Sequence, residues 1–154
     1  MINTEKSGEP LVLLLVEDNE DHAELIRRSF ADHQVLNKLN HVLDGAEALD
    51  YLFQRDRYAD PVTSPRPHII LLDLRLPKID GLEVLRQIKE SSVLRSIPII
   101  VLTSSEIKED IDKAYAYHVN SYLSKPVDFD KFTMLMKELG FYWLGWNQLP
   151  GNSE

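Results

Sequence analysis

The chain has 154 residues, a formal net charge of −8, 44% hydrophobic and 27% charged residues, and no cysteine. That length accommodates one domain with a sizeable core, and the lack of cysteine excludes disulfides, thiol catalysis and cysteine–zinc sites. The acidity, with no basic stripe to neutralise phosphates, argues against a nucleic-acid partner; no apolar stretch reaches membrane-spanning length and residues 1–10 carry no signal-type apolar core, so a cytoplasmic protein is expected.

Residues 1–10 read as a disordered lead. Leu11 to Val16 is a continuous apolar run, the pattern of a strand buried on both faces, and it ends in Glu17-Asp18-Asn19. From Glu20 to about His33, Leu25, Ile26 and Phe30 predict one helical face, with Glu20 and Asp21 suited to the first turn. Leu39 to Leu43 is a shorter, more polar strand nearer an edge. Asp44 and Glu47 have capping-box spacing, and Ala48, Leu49, Leu52 and Phe53 give the next helix its apolar face. Residues 54–67, with Pro61, Pro65 and Pro67, read as a long surface loop. His68 to Asp73 is a second buried strand, closed by a carboxylate. After the turn Pro77 to Gly81, Asp80 and Glu83 repeat the capping-box spacing, and Leu82, Leu85 and Ile88 face inward. Ile97 to Leu102 is a strand closed by Thr103-Ser104-Ser105. Ile107, Ile111, Ala114 and Tyr115 form a fourth amphipathic helix, and Ser121 to Ser124 a short strand before Lys125-Pro126. Asp128 caps a last helix with Phe132, Leu135, Met136 and Leu139 inside. His22, His33, His41, His68 and His118 show no ligand spacing and are read as structural or exposed.

Strict alternation of buried strands and amphipathic helices predicts a doubly wound parallel α/β sheet, (βα) five times over. Right-handed crossovers put all strand carboxyl ends on one rim. That brings Glu17, Asp18, Asp73, Thr103 and Lys125 together, where ligands bind in open α/β sheets. Close carboxylates repel, and a hard divalent cation relieves the conflict. Lys125 suits one phosphoryl oxygen and the Thr103 hydroxyl another. Such a site fits phosphoryl transfer, with a carboxylate as the covalent acceptor.

The set Glu17-Asp18, Asp73, Thr103-Ser104 and Tyr122-Leu123-Ser124-Lys125-Pro126 resembles the receiver domain of two-component response regulators, over roughly residues 10–140. The resemblance implies a flavodoxin-like fold with strand order 2-1-3-4-5. It implies Asp73 as phosphoacceptor from a histidine kinase, with Mg²⁺ held by Asp18, Asp73 and the backbone carbonyl of Arg75, and Glu17 acting through water. Lys125 would hold the phosphoryl group, and its bond to Pro126 is typically cis in the family. Thr103 and Tyr122 match the switch pair. The Arg75 side chain is expected to overhang the site and influence loss of phosphate. The usual Gly-Ala before the fifth strand is replaced by His118-Val119, followed by Asn120; if the chain needs φ > 0 there, His and Asn are among the more tolerant residues.

Glu17-Asp18-Asn19, the 54–67 loop, His118-Val119-Asn120 and the aromatic tail Phe141-Tyr142-Trp143-Leu144-Gly145-Trp146 resemble single-domain regulators paired with cyanobacterial and bacterial phytochromes. Residues 11–144 are then the receiver and 145–154 a tail. An aromatic cluster of that size is rarely left in water. Packing on the chain's own core explains Trp143 as well as an interface does; a symmetric homodimer through the last helix and Phe141, Tyr142, Trp143 and Trp146 is the functional expectation. No output domain is expected, nor an enzyme beyond self-phosphorylation and slow dephosphorylation. The alternatives are a Mg²⁺-dependent phosphohydrolase of the haloacid dehalogenase type, disfavoured by Arg75 where a second Asp belongs, and a phosphorylation-independent interaction module.

Overall fold

A computed structural model of the chain describes residues 11–32, 37–103, 108–125 and 127–138. β1 (Leu11–Val16), β2 (Asn37–Val42), β3 (Ile69–Asp73), β4 (Ile99–Thr103) and β5 (Ser121–Ser124) form one five-stranded parallel sheet in the order β2-β1-β3-β4-β5. The intervening helices are α1 (Glu20–Asp32), α2 (Gly45–Leu52), α3 (Gly81–Glu90) and α4 (Lys108–Ala116), with α5 (Phe129–Glu138) last. This is the flavodoxin-like order expected from the sequence.

Alternation along each strand divides the apolar residues into two cores. Leu13, Leu15, Ile69, Leu71, Ile100 and Leu102 join Ala23, Ile26 and Phe30 of α1 and Phe132 of α5. Leu14, Val16, Ile70, Leu72, Ile99 and Val101 join the inner residues of α2, α3 and α4. The Phe30 and Phe132 rings meet at 5.0 Å between centroids. Chain order reverses between β1 and β3: β1 leads outward to β2, β3 to β4. The crevice at their carboxyl ends is the topological switch point.

Several predicted details change. Leu25 is 56% exposed; it lies about 100° around the helix from Ile26, off the stripe that Ala23, Ile26 and Phe30 bury. Phe53 and Tyr115 are also exposed. Phe53 is the C-cap of α2, beyond its regular turns, so Tyr51 is buried instead, and Tyr115 turns edge-on to Tyr122, 6.1 Å away. Asp44 Oδ1 accepts from Glu47 N at 2.8 Å as predicted, while Glu47 reaches back to Leu43 N at 2.8 Å. At α3 the box fails: the Asp80 side chain makes no capping bond, and Glu83 is engaged instead by Arg86 and Gln87. Asp128 Oδ1 does cap α5, accepting from Asp130 N at 2.9 Å.

The 54–67 segment is anchored rather than featureless. It contains a short 3-10 turn, Asp56–Tyr58. The buried Tyr51 hydroxyl donates to Pro65 O and accepts from Asn40 Nδ2, both at 2.8 Å. His118 has φ 64°, the left-handed backbone anticipated before β5. Asn120 then fastens β5 to the start of β4: its Oδ1 accepts from Ile99 N at 2.9 Å and its N–H donates to Ile99 O at 3.0 Å. β4 accordingly starts at Ile99 rather than Ile97, whose N–H closes a turn onto Leu94 O.

Candidate functional site

The switch-point crevice gathers the predicted carboxylates. Glu17 immediately follows β1 and Asp73 ends β3, both buried; Asp18 beside them is exposed. One carboxylate oxygen from each lies within 4.8 Å of the others. Lys125 follows β5 and crosses the rim. Its ammonium donates to Asp73 Oδ2 at 2.7 Å and contacts Glu17 Oε1. The remaining Asp73 oxygen, Oδ1, accepts from the Arg75 backbone N–H at 2.8 Å. Both oxygens of the candidate phosphoacceptor are therefore oriented by donors.

Gly81, the first residue of α3, lets the helix start against β3. A Cβ there would lie 2.5 Å from Leu74 Cα and 2.6 Å from Asp73 O, and the Gly81 N–H donates to Leu74 O. Gly45 makes a similar approach: its Cβ would lie 2.0 Å from Ile79 O. The segment after Asp73 is thus braced between the first turns of α2 and α3. Lys78 within it takes φ 68° and pairs with Asp44 at 3.4 Å.

Electrostatics match the crowding. Burial pushes the Glu17 carboxyl above the usual carboxylate range, and the Asp73 charge adds to this; Lys125 and the Asn19 N–H oppose it. Burial draws the Lys125 ammonium down, yet its bonds to Asp73 and Glu17 outweigh that and hold it above the ordinary lysine range. Three carboxylates beside a single ammonium retain excess negative charge, and an oxygen donor set of this kind fits a hard divalent cation.

Tyr122 lies on edge strand β5 and is 37% exposed. Thr103 ends β4 opposite Ser124, at the predicted rim. Its hydroxyl lies outside the described residues, as do residues 1–10, Ser104, Ile107, Pro126 with its expected cis bond, and Phe141, Tyr142, Trp143 and Trp146. Sequence reasoning missed two contributors. Asn19 caps α1, its Oδ1 accepting from Asp21 N and His22 N at 2.9 and 3.0 Å, while its own N–H donates to Glu17 Oε2 at 3.1 Å. His22, read as structural or exposed, places Nδ1 3.2 Å from Lys125 Nζ and 3.8 Å from Glu17 Oε2. Periodicity held a signal for it, since positions 22, 26 and 30 share one helical line.

A five-stranded 2-1-3-4-5 sheet with three carboxylates and a lysine at the β1–β3 crevice defines a receiver. The chain belongs to the response regulator receiver domain family, which matches residues 13–137. Among curated relatives, it is 48% identical over 95% of its length and 92% of the relative's to the "Probable methanogenesis regulatory protein FilR2" of Methanothrix harundinacea. It is 37% identical to the response regulator Rcp1 of Synechocystis sp., covering 96% of this chain and 98% of that one. Among solved structures, the bacteriophytochrome response regulator RtBRR has TM-score 0.78 at 41% identity, over 93% of this chain and 86% of that one. The Mn²⁺-bound form of Rcp1 has TM-score 0.72 at 38% identity, over 92% and 99%. The phosphorylated cyanobacterial phytochrome response regulator RcpA has TM-score 0.73 at 39% identity, over 92% and 99%. The chain is thus a receiver homologous to phytochrome response regulators.

Proposed function

We propose that this receiver accepts a phosphoryl group from the phosphohistidine of a sensor kinase onto Asp73, in a Mg²⁺-dependent reaction. The observation that carries the reading is the convergence of Asp73, Asp18 and Glu17 with the Lys125 ammonium already on Asp73 Oδ2. In the transfer, a carboxylate oxygen of Asp73 forms a bond to phosphorus as the N–P bond of a phosphohistidine protonated on its other ring nitrogen breaks; the electron pair stays on nitrogen, giving an acyl phosphate and neutral imidazole. Lys125 shifts from the carboxylate to a phosphoryl oxygen, and the Arg75 N–H keeps the other carboxyl oxygen in place. Asp18, Asp73 and the Arg75 carbonyl, with Glu17 through water, are the residues to hold Mg²⁺, which neutralises charge on the transferring group.

The consequence is a two-state shift biased by a local charge: Thr103 is drawn to the phosphoryl group and Tyr122 moves inward. Its exposed ring, resting on Tyr115, is the starting position for that movement. Output is by protein contact, including a homodimer through the last helix and the aromatic tail. RtBRR is described as a bacteriophytochrome regulator and RcpA as a phytochrome regulator, which supports a phytochrome-type kinase as donor. Similarity to the methanogen protein is higher, so a histidine kinase of another sensory type is the second reading.

The deciding experiment is transfer from a ³²P-labelled histidine kinase. The wild type should acquire acid-stable, alkali-labile label only with Mg²⁺, and Asp73→Asn should acquire none. Label persisting in Asp73→Asn would place the acceptor elsewhere.

A further inference from the structure

An ammonium group has three hydrogens and no acceptor. Lys125 Nζ meets three elements: it donates to Asp73 at the end of β3, contacts Glu17 beyond β1 and lies 3.2 Å from His22 Nδ1 in the first turn of α1. Its side chain is only 8% exposed, so these groups, rather than bulk water, decide where Nζ rests. Lys125 has no acceptor atom, so a hydrogen bond across the 3.2 Å between them is one that His22 Nδ1 accepts.

The backbone that carries the imidazole is held in place. The His22 N–H is fixed by the Asn19 cap, and Asn19 is tied in turn to Glu17. Side chains in a helix tilt toward its N-terminus, and α1 begins at the rim, so a first-turn residue on the inner line points back at the site.

We infer that His22 is a positioning residue for phosphoryl capture: it retains one Lys125 hydrogen at the rim while another follows the phosphoryl oxygens. This rests on the reading of Asp73 and Lys125 given above. Once Asp73 carries phosphorus, one of its oxygens is bonded to phosphorus and its charge is gone, so the carboxylate no longer anchors Nζ as before. Glu17 would be engaged by the divalent cation it helps to hold. His22 Nδ1 is the acceptor that neither change consumes. Lys125 thus stays on the α1 side of the crevice, with a hydrogen left to bond the incoming group.

The test is beryllofluoride, a phosphoryl mimic, titrated into the full chain at saturating Mg²⁺ and followed by ¹⁹F NMR. Wild type, His22→Ala, His22→Gln and Lys125→Ala are compared, and Mg²⁺ affinity is measured alongside. His22→Ala should weaken beryllofluoride binding roughly threefold to tenfold, the size of one net hydrogen bond. His22→Gln, whose amide oxygen can accept from the ammonium, should recover most of that loss. Lys125→Ala should lose more than either. Equal affinity in His22→Ala and wild type would overturn the inference, as would equal loss in His22→Ala and His22→Gln. A parallel fall in Mg²⁺ affinity would overturn it too, by indicating a displaced α1 terminus. Failure of the wild type itself to bind beryllofluoride would instead reject the phosphoacceptor reading, and the inference with it.

Discussion

Gly81 leaves no room for a methyl group, and the backbone it presses on belongs to Asp73 and Leu74. Replacing glycine by alanine in a helix ordinarily stabilises by about 0.4–1 kcal/mol through the unfolded chain. Here overpacking against fixed backbone, which costs about 1–3 kcal/mol, outweighs that gain. Gly81→Ala should therefore lower the urea midpoint at an unchanged slope, and a midpoint equal to or above wild type would contradict this packing. Other residues differ in how far their places could be foreseen. The rim carboxylates were legible because each closes a run of apolar strand residues, and topology then leaves them nowhere else to go. His22 was hidden because its contact depends on the rotation of α1, which the Asn19 cap and the buried line Ile26–Phe30 set together. Leu25 was misplaced for the same reason, since a one-residue step around a helix turns a side chain from core to water. Asp80 and Glu83 have the spacing of a capping box, but spacing alone does not show that the Glu83 side chain turns to Arg86 and Gln87 rather than back to Asp80.

Within elements, α3 carries the strongest local charge pattern. Glu83 accepts from Arg86 and Gln87, and Arg86 also reaches Glu90. Chiefly the Arg86 hydrogen bond, then that of Gln87, holds the Glu83 carboxyl at about 2, against an ordinary 4.5. A depressed carboxylate stabilises the fold above its unfolded value and loses that contribution as pH falls through the folded one. The pair's contribution is therefore complete above about pH 4.5 and fades toward pH 2; solvent and salt keep it small. A side-chain NMR titration should show Glu83 ionised throughout the range where other glutamates titrate. In Arg86→Gln its midpoint should return toward the ordinary value. The 54–67 segment poses a different case. Tyr51 ties Asn40 of β2 to Pro65 through one buried hydroxyl. Tyr51→Phe strands both partners and should destabilise by about 1–3 kcal/mol. Limited proteolysis should cut between residues 54 and 67 faster in that variant, and an unchanged rate would mean the loop is held elsewhere.

For the molecule as a whole, the expected output is self-association. The measurement is the mass by light scattering with and without beryllofluoride and Mg²⁺, for wild type and Asp73→Asn. A dimer that forms only in the wild type with beryllofluoride is the expected result, joining Asp73 to the C-terminal helix and tail. A dimer in every sample would make that interface a fixed scaffold and move output to another surface. The global architecture was the most legible level, because five buried strands alternating with amphipathic helices admit few topologies. The cap geometry, the anchored loop and the side-chain meeting points were less so, since each is settled by contacts between residues distant in the chain.

The sheet has its own bearing on association. Its two borders are β2 (Asn-Lys-Leu-Asn-His-Val) and the four-residue β5 (Ser-Tyr-Leu-Ser). One is studded with polar side chains, with Lys38 in the open; the other is too short to template a neighbour. Unpaired strand borders are the usual nuclei of edge-to-edge aggregation, and short or charged borders suppress it. The most apolar strands, β1, β3 and β4, occupy the interior of the sheet, where neither border is free. Borders of this kind disfavour edge-to-edge pairing and leave the helix faces for protein contact, where the proposed phosphoryl switch would act without opening the sheet.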